Sequence, residues 1–238
     1  MLILGEYVEK LREKLGDKLL KVILFGSYAK GLSDEFSDVD VLIVHRGRED
    51  VVRAAVADVT LDISTKYGIP LEPLTMSIHE FQEDTVFTRE VRETGITLYA
   101  ADPEEERVAL ALDYIPLIEE YLSYARESLE KGRYRLAVDL GYNAAELAVR
   151  ALIALKGESF AKTHGGILAQ FGRLYVEAGE VGRETGRSLH EALMLRNRAR
   201  YDPRARLGKE DAEKIVELAE TLLKVLKEKV YGKPSSRE

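Results

Sequence analysis

Two short groups of residues near the N-terminus have the types and the spacing that phosphate chemistry needs. Gly26 and Ser27 follow an apolar run, and Asp38 and Asp40 come ten residues later with one valine between them. A glycine lets a phosphate approach the backbone closely, and a serine hydroxyl can donate a further hydrogen bond. Lys30 adds a positive charge near the same turn. The segment therefore predicts a phosphate-binding turn followed by a pair of carboxylates.

The two aspartates lie at the start of a second apolar run, Val39–Val44. Side chains two residues apart on a strand point to the same face, so Asp38 and Asp40 are predicted to lie side by side. Two adjacent carboxylates repel each other unless a cation lies between them, and Mg²⁺ or Mn²⁺ accepts carboxylate ligands together with substrate phosphates. Either group alone is more often a plain turn or a solvated strand start. Their combination predicts transfer of a nucleotidyl group from a nucleoside triphosphate.

The elements that position these residues alternate between helix and strand over the first hundred residues. Apolar runs and alternating patterns predict strands at 21–25, 39–44, 69–76 and 95–101, and helical periodicity predicts helices at 6–18 and 49–66 and short helices within 78–94. Pro70 and Pro73 favour an edge position for the third strand. This alternation predicts an α/β layer around a small mixed sheet.

After Asp102 and Pro103 the strand patterns end, and this pair suits the start of a helix. Five helices are predicted at 104–131, 133–156, 163–179, 184–200 and 209–230. The fold class is therefore a multidomain α+β protein. We predict an N-terminal α/β domain at 1–102, an all-α helical bundle at 103–231 and a flexible tail at 232–238.

Composition excludes several classes of site and protein. The chain of 238 residues has no cysteine, so disulfides and cysteine-bound zinc are excluded, and its four histidines are too scattered for a histidine metal motif. The net charge of −7 is unlike that of a general nucleic-acid binder. No apolar run approaches the roughly 20 residues that cross a bilayer, and the N-terminus lacks the basic region of a signal peptide. We expect a cytoplasmic protein without membrane contact.

The motifs GSYAKG and SDVDVLIV resemble the signature of minimal nucleotidyltransferases in the DNA polymerase β superfamily, over about 100 residues. The resemblance implies Mg²⁺-dependent transfer of a nucleoside monophosphate, usually AMP from ATP, with release of pyrophosphate. It also implies that Gly26 and Ser27 hold the triphosphate and that Asp38 and Asp40 bind the metal ion.

Two-metal chemistry needs another carboxylate, as a metal ligand or as a base for the acceptor hydroxyl. The resemblance implies that it comes from the strand after the long helix, where Glu72 is the only acidic residue. The alternative is a solvent-facing glutamate on an edge strand. Asp62, on the preceding helix, is interpreted as a surface charge.

Residues 104–230 resemble a HEPN domain, through YNAAELAVRALIALKG, KTHGGI and LMLRNRARYDP. HEPN ribonucleases use an arginine followed after four to six residues by a histidine. Here Tyr201 stands at the four-residue spacing from Arg196, and with a pKa of about 10 a tyrosine is a poor base at neutral pH. Ribonuclease activity is therefore not expected. Arg196, Asn197 and Arg200 could bind phosphate or an acceptor, or Arg196 could form an ion pair with Glu146.

Three functions follow as hypotheses. The first is a nucleotidyltransferase whose helical domain shapes the acceptor site, with an overall plan similar to kanamycin nucleotidyltransferase. Its donor is ATP or another nucleoside triphosphate, and its acceptor is a small molecule, a protein tyrosine or an RNA end. The second is a fused toxin–antitoxin-like module in which Tyr201 could receive AMP, and the third is a nucleotide-binding scaffold without turnover. A homodimer is expected. His45 and His79 are interpreted as surface residues, and His164 as a helix cap or cleft residue.

Overall fold

A computed structural model of the chain describes residues 2–32 and 37–232. The chain divides into two compact units, Met1–Ala109 and Leu110–Glu238. The division falls inside a helix that begins at Pro103, next to the predicted domain boundary at residue 102. Apart from Gly232, the predicted flexible tail lies outside the described residues.

The first unit alternates helices and strands as the periodicity predicts. Its elements are α1 (Leu2–Leu15), β1 (Leu19–Leu24), α2 (Gly26–Ala29), β2 (Val39–His45), α3 (Glu49–Tyr67), β3 (Leu71–Ser77), α4 (Ile78–Gln82), α5 (Val86–Thr94) and β4 (Ile96–Ala100). Helix α3 ends at Gly68, whose left-handed conformation (φ 68°) suits a glycine after a helix C-terminus.

The four strands form one sheet in the order β3-β2-β1-β4. β2 and β3 run parallel, whereas β1 pairs antiparallel with both β2 and β4. The small mixed sheet predicted from the sequence is therefore confirmed. β3 lies at a sheet edge, where Pro73 within the strand removes one backbone N–H donor at little cost.

Helices α1 and α3 share one apolar core with the sheet, which identifies the buried face of each strand. The core residues are Tyr7, Val8, Leu11 and Leu15 from α1, Val52, Val56, Val59 and Ile63 from α3, and Leu19, Val22, Leu24, Val39, Val41, Ile43 and Leu71 from the strands. Because strand side chains alternate between faces, Asp40 and Glu72 lie on the face opposite to this core. The sheet thus separates its main core from its acidic side chains.

His45 at the end of β2 corrects one prediction. We expected a surface residue, but its side chain is fully buried. Its Nε2 atom lies 2.7 Å from Glu49 Oε2, and Thr75 Oγ1 donates to Glu49 Oε1 at 2.6 Å. The central strand is covered at this end by the start of α3, so a polar side chain there is buried and needs a partner.

The second unit is an α-helical bundle, as predicted. Its helices are α6 (Pro103–Glu130, which starts in the first unit), α7 (Tyr134–Leu155), α8 (His164–Phe171), α9 (Arg183–Tyr201) and α10 (Lys209–Tyr231), and a π-helical turn at Gly172–Val176 follows α8. Helix α7 packs against α8, α9 and α10. Its small residues allow close approach, since a Cβ atom on Gly141 would lie 2.9 Å from the side chain of Ile215. No helix within the described ranges is long and apolar enough to cross a membrane.

Candidate functional site

The turn after β1 is built directly against β2. The backbone N–H of Phe25 donates to the carbonyl oxygen of Asp40 at 3.0 Å, and Gly26 then begins α2 with φ 69°. A Cβ atom on Gly26 would lie 2.8 Å from Asp40 Cγ and closer still to Oδ2. Both the left-handed backbone and the lack of space require glycine at this position. The structure therefore brings the predicted turn and the second predicted aspartate into contact.

The other two predicted residues of the turn have different environments. Ser27 is partly buried in α2, and its carbonyl oxygen accepts a hydrogen bond from Leu32 N–H at 3.0 Å. Lys30 is exposed, and its Nζ atom lies 2.5 Å from Glu90 Oε1 on α5. Glu90 was not among the sequence candidates, and no motif connects two residues sixty positions apart.

The predicted carboxylates lie near the N-terminal ends of the parallel strands β2 and β3. Asp40 and Glu72 are direct partners in the register of β2 and β3, so their side chains leave the same face of the sheet. Asp38 precedes β2 by one residue and has the same parity along the chain as Asp40. Asp40 is partly buried, whereas Asp38 and Glu72 are exposed. Glu72 is also exposed on the edge strand β3, as in the alternative of a solvent-facing glutamate, so its role as the third carboxylate stays a prediction.

The donor set suits a small divalent cation with mixed ligands. Asp38 and Asp40 supply carboxylate oxygens, which Mg²⁺ and Mn²⁺ prefer. Within the described residues, no three acidic or histidine side chains are already close enough to form a metal-binding group. Asp38 and Asp40 fit a metal site in which phosphate oxygens and water would complete the coordination.

A second polar cluster lies inside the helical unit, around Glu146 of α7. This carboxylate is 7% exposed, and it is bonded to His164 Nδ1 and to Arg150, whose Nη2 atom lies 2.9 Å away. Burial raises the pKa of Glu146, but the hydrogen bonds from His164, Arg150 and Tyr142 together hold it below its usual value. Glu146 thus pairs with Arg150 of α7 and His164 of α8, and not with Arg196, the partner considered from the sequence.

The predicted arginines of α9 have partners of their own. Arg196 is 5% exposed, with its guanidinium 5.7 Å from the Tyr142 ring centre and 3.9 Å from Asp139. Arg196 Nη1 also donates to Asn197 Oδ1 at 3.1 Å. Arg200 binds both carboxylate oxygens of Asp139, at 2.5 and 3.1 Å. Arg196 is therefore packed within the bundle, whereas Arg200 forms a more exposed ion pair.

Tyr201 differs from its neighbours because its side chain is 72% exposed. Its ring centre lies 5.9 Å from the Arg196 guanidinium. Most of the Tyr201 side chain is therefore open to solvent.

Comparisons with known proteins agree with both parts of the fold. The sequence model of the nucleotidyltransferase domain matches residues 4–134, and that of the HEPN domain matches residues 119–229. A Methanocaldococcus jannaschii protein that carries the provisional name protein adenylyltransferase is 39% identical over 79 residues, which cover 30% of this chain. The match spans about half, 51%, of that relative's length.

Two further similarities cover more of the compared proteins. A second M. jannaschii protein with the same provisional name is 38% identical over 96 residues, which cover 40% of this chain and 92% of that protein. The solved structure of spectinomycin adenyltransferase from Enterococcus faecialis, with ATP and spectinomycin, is 12% identical and has a TM-score of 0.33. That match covers 93% of this chain and 98% of the solved chain.

The nucleotidyltransferase match extends over more than half of the 238 residues and contains the turn and all three carboxylates described above. The resemblance inferred from GSYAKG and SDVDVLIV is confirmed, as is the HEPN resemblance of the helical part. The chain belongs to the nucleotidyltransferase domain family and carries a HEPN domain after it.

Proposed function

We propose that this nucleotidyltransferase is Mg²⁺-dependent and moves AMP from ATP to a hydroxyl group of a protein. The observation that carries the proposal is the contact between Gly26 and Asp40. The turn at Gly26 has no side chain and can accept a phosphate, and the Asp40 carboxylate beside it can bind a cation. The phosphate and the cation would then lie next to each other.

Each residue of the site has a role that follows from its chemistry. The backbone at Gly26 and Ser27 and the ammonium group of Lys30 would bind the triphosphate oxygens. Asp38 and Asp40 would hold Mg²⁺, and the bound ion would neutralise part of the negative charge on the phosphates. Asp40 is partly buried against the turn, so its carboxylate has little freedom to move away. This fixed position favours catalysis, because positioning contributes much of the rate in phosphoryl transfer.

The proposed reaction balances with groups that the chain or the donor supplies. The acceptor oxygen forms a bond to the α-phosphorus of ATP, the bond from that phosphorus to the bridging oxygen breaks, and pyrophosphate leaves. The acceptor proton passes to Glu72 or to water near it. Glu72 is suited to this role because it lies beside Asp40 in register and is exposed to solvent, where an acceptor can approach it.

The choice of donor and acceptor rests on the relatives. Two similar M. jannaschii proteins carry the provisional name protein adenylyltransferase, and this supports ATP as donor and a protein as acceptor. The structure adds only that Glu72 itself is exposed on the edge strand β3. A bulky acceptor is compatible with such an open position.

The test uses the full chain with ATP labelled at the α-phosphate, Mg²⁺ and a heat-treated protein extract as acceptor. We expect labelled protein and released pyrophosphate, and loss of both in the Asp38→Asn/Asp40→Asn double variant. The matched control is Asp58→Asn/Asp62→Asn, since these exposed aspartates of α3 form only surface ion pairs with Lys14 and Lys10. ATP binding without any product in the wild-type chain would contradict the proposal and favour a scaffold without turnover.

A second candidate is transfer of AMP to the chain's own Tyr201, as in a fused toxin–antitoxin-like module. The observation in its favour is a 72% exposed tyrosine beside a buried arginine in a HEPN domain. Intact-mass and peptide mass spectrometry after incubation with ATP and Mg²⁺ would locate the adduct. An adduct that persists in Tyr201→Phe would reject this candidate while leaving protein adenylylation in place.

A further inference from the structure

Glu90 on α5 holds the lysine of the predicted phosphate turn. Lys30 Nζ lies 2.5 Å from Glu90 Oε1, with side-chain exposures of 37% and 51%. We propose that Glu90 occupies Lys30 while the site is empty, and that the incoming triphosphate displaces it. This inference rests on the proposed nucleotide site and names Glu90 as a residue that sets the affinity of that site.

Helix α5 packs against the same turn, and this packing places Glu90 beside Lys30. The rings of Phe25 and Phe87 pack edge to face with their centres 5.5 Å apart. Phe87 and Glu90 are three residues apart and therefore lie on one side of the helix. At its end, Gly95 packs so closely that a Cβ atom would lie 2.7 Å from Ile23 Cγ2 on β1. The start of α5 thus packs against Phe25, and the residue after its end packs against Ile23 of β1.

The consequence for binding is electrostatic. A carboxylate and a phosphate compete for one ammonium group, and the more highly charged triphosphate gains more from it. After the exchange, the packing of α5 against β1 and Phe25 leaves the Glu90 carboxylate near the phosphates, and like charges repel. The exposed pair itself contributes little to stability, so its loss should not unfold the domain. Removing the charge of Glu90 should therefore tighten triphosphate binding.

Calorimetric titration with α,β-methylene ATP and Mg²⁺ tests this. We expect Glu90→Gln to lower the dissociation constant about threefold, which corresponds to the modest energy of an exposed charge pair. The matched control is Glu93→Gln, an exposed glutamate one turn further along the same helix. It should change the binding free energy by less than about a third of the change in Glu90→Gln. AMP, which has fewer charges, should show a smaller gain than the triphosphate analogue.

Measurements in the Lys30→Met variant separate competition for Lys30 from a direct repulsion between Glu90 and the nucleotide. If Glu90 acts through Lys30, Glu90→Gln should gain far less in Lys30→Met than in the wild-type chain, because the shared ammonium group is gone. A second readout is acylation of Lys30 by an amine-reactive ester, followed by peptide mass spectrometry. Without nucleotide, Lys30 should react faster in Glu90→Gln than in the wild-type chain or in Glu93→Gln.

The outcomes distinguish this inference from the proposed function. If the wild-type chain binds the analogue and Glu90→Gln binds it equally or more weakly, the inference is wrong and the nucleotide site stands. An equal gain in the Lys30→Met background would also reject it. If neither the wild-type chain nor Glu90→Gln binds the analogue, the proposed function fails and the inference fails with it.

Discussion

Asp40 and Glu72 occupy paired positions on the parallel strands β2 and β3. Their side chains leave the sheet on the same face, opposite to the core formed with α1 and α3. Asp38 lies two residues before Asp40, and a cation shared by these two carboxylates would remove the repulsion between them. The folded chain should therefore gain stability from a divalent cation at this end of the strands.

The first prediction concerns that gain. At a Mg²⁺ concentration about tenfold above its dissociation constant, ligand binding adds about 1.4 kcal/mol to the free energy of unfolding. A domain of this size should then unfold about 3–6 °C higher in MgCl₂ than in NaCl of equal ionic strength. Scanning calorimetry of the wild-type chain and of Asp40→Asn would measure it. An equal rise in Asp40→Asn would place the bound ion elsewhere.

The second prediction tests the contact between Gly26 and Asp40. Gly26→Ala forces a methyl group into the Asp40 carboxylate and should reduce nucleotidyl transfer at least about 100-fold, because catalytic groups tolerate little displacement. Gly31→Ala is the control. Gly31 has φ 68° but open space around the position of a Cβ atom, so this change adds backbone strain of about 1–2 kcal/mol without the clash. Similar activity losses in both variants would show that strain alone is responsible.

The third prediction separates the roles of the acidic residues. Asp40→Asn should lower the transfer rate by about 10³-fold or more, since it removes a charged metal ligand. Glu72→Gln should lower it by about 10²-fold if Glu72 accepts the proton, in line with general base catalysis. Single-turnover rates with saturating ATP would measure both, and raising the pH should partly restore Glu72→Gln only. Full activity of Glu72→Gln would assign the proton to water.

Sequence patterns predict the local elements that carry the candidate site, whose residue roles stay predictions. The glycine of the turn, the aspartate pair and the strand that carries Glu72 follow from periodicity and from turn residues. The direct contact of Gly26 with Asp40 and the pairing of Asp40 with Glu72 depend on strand register, which tertiary packing sets. His45 is buried on the face of β2 that carries Val41 and Ile43, so the alternation along the strand could have predicted its position.

In the helical unit, an ion pair could be predicted from the sequence only where both residues lie close together on one helix. Glu146 and Arg150 are four residues apart on α7, and this spacing alone could have predicted their ion pair in preference to one with Arg196. His164 joins them from another helix. Arg200 pairs with Asp139 across sixty-one positions, a contact that only the packed bundle defines.

Arg135 gives the fourth prediction. Its guanidinium donates four hydrogen bonds to the carbonyl oxygens of Ala199, Asp202 and Ala205, and so ties the end of α9 and the following loop to α7. Hydrogen bonds to charged groups contribute about 1.5–3 kcal/mol, so Arg135→Ala should lower the free energy of unfolding by about that amount. The exposed neighbour Arg133→Ala should change it by less than about 0.5 kcal/mol. Urea titration at neutral pH would compare them, and equal losses would contradict this role.

The last prediction concerns the pH dependence that the buried Glu146 confers. Although burial raises its pKa, the hydrogen bonds from His164, Arg150 and Tyr142 leave that pKa below the usual value of 4.5. A carboxyl group with a lowered folded-state pKa stabilises the fold above its unfolded-state pKa, and this contribution is lost as the pH falls through the lowered value. Glu146→Gln should therefore be less stable than the wild-type chain by about 3 kcal/mol at pH 7, with the difference shrinking below about pH 4.5. Urea titrations from pH 7 to pH 3 would measure this, with the exposed Glu217→Gln on α10 as control. A difference that stays constant over this range would mean that the charge of Glu146 does not stabilise the bundle.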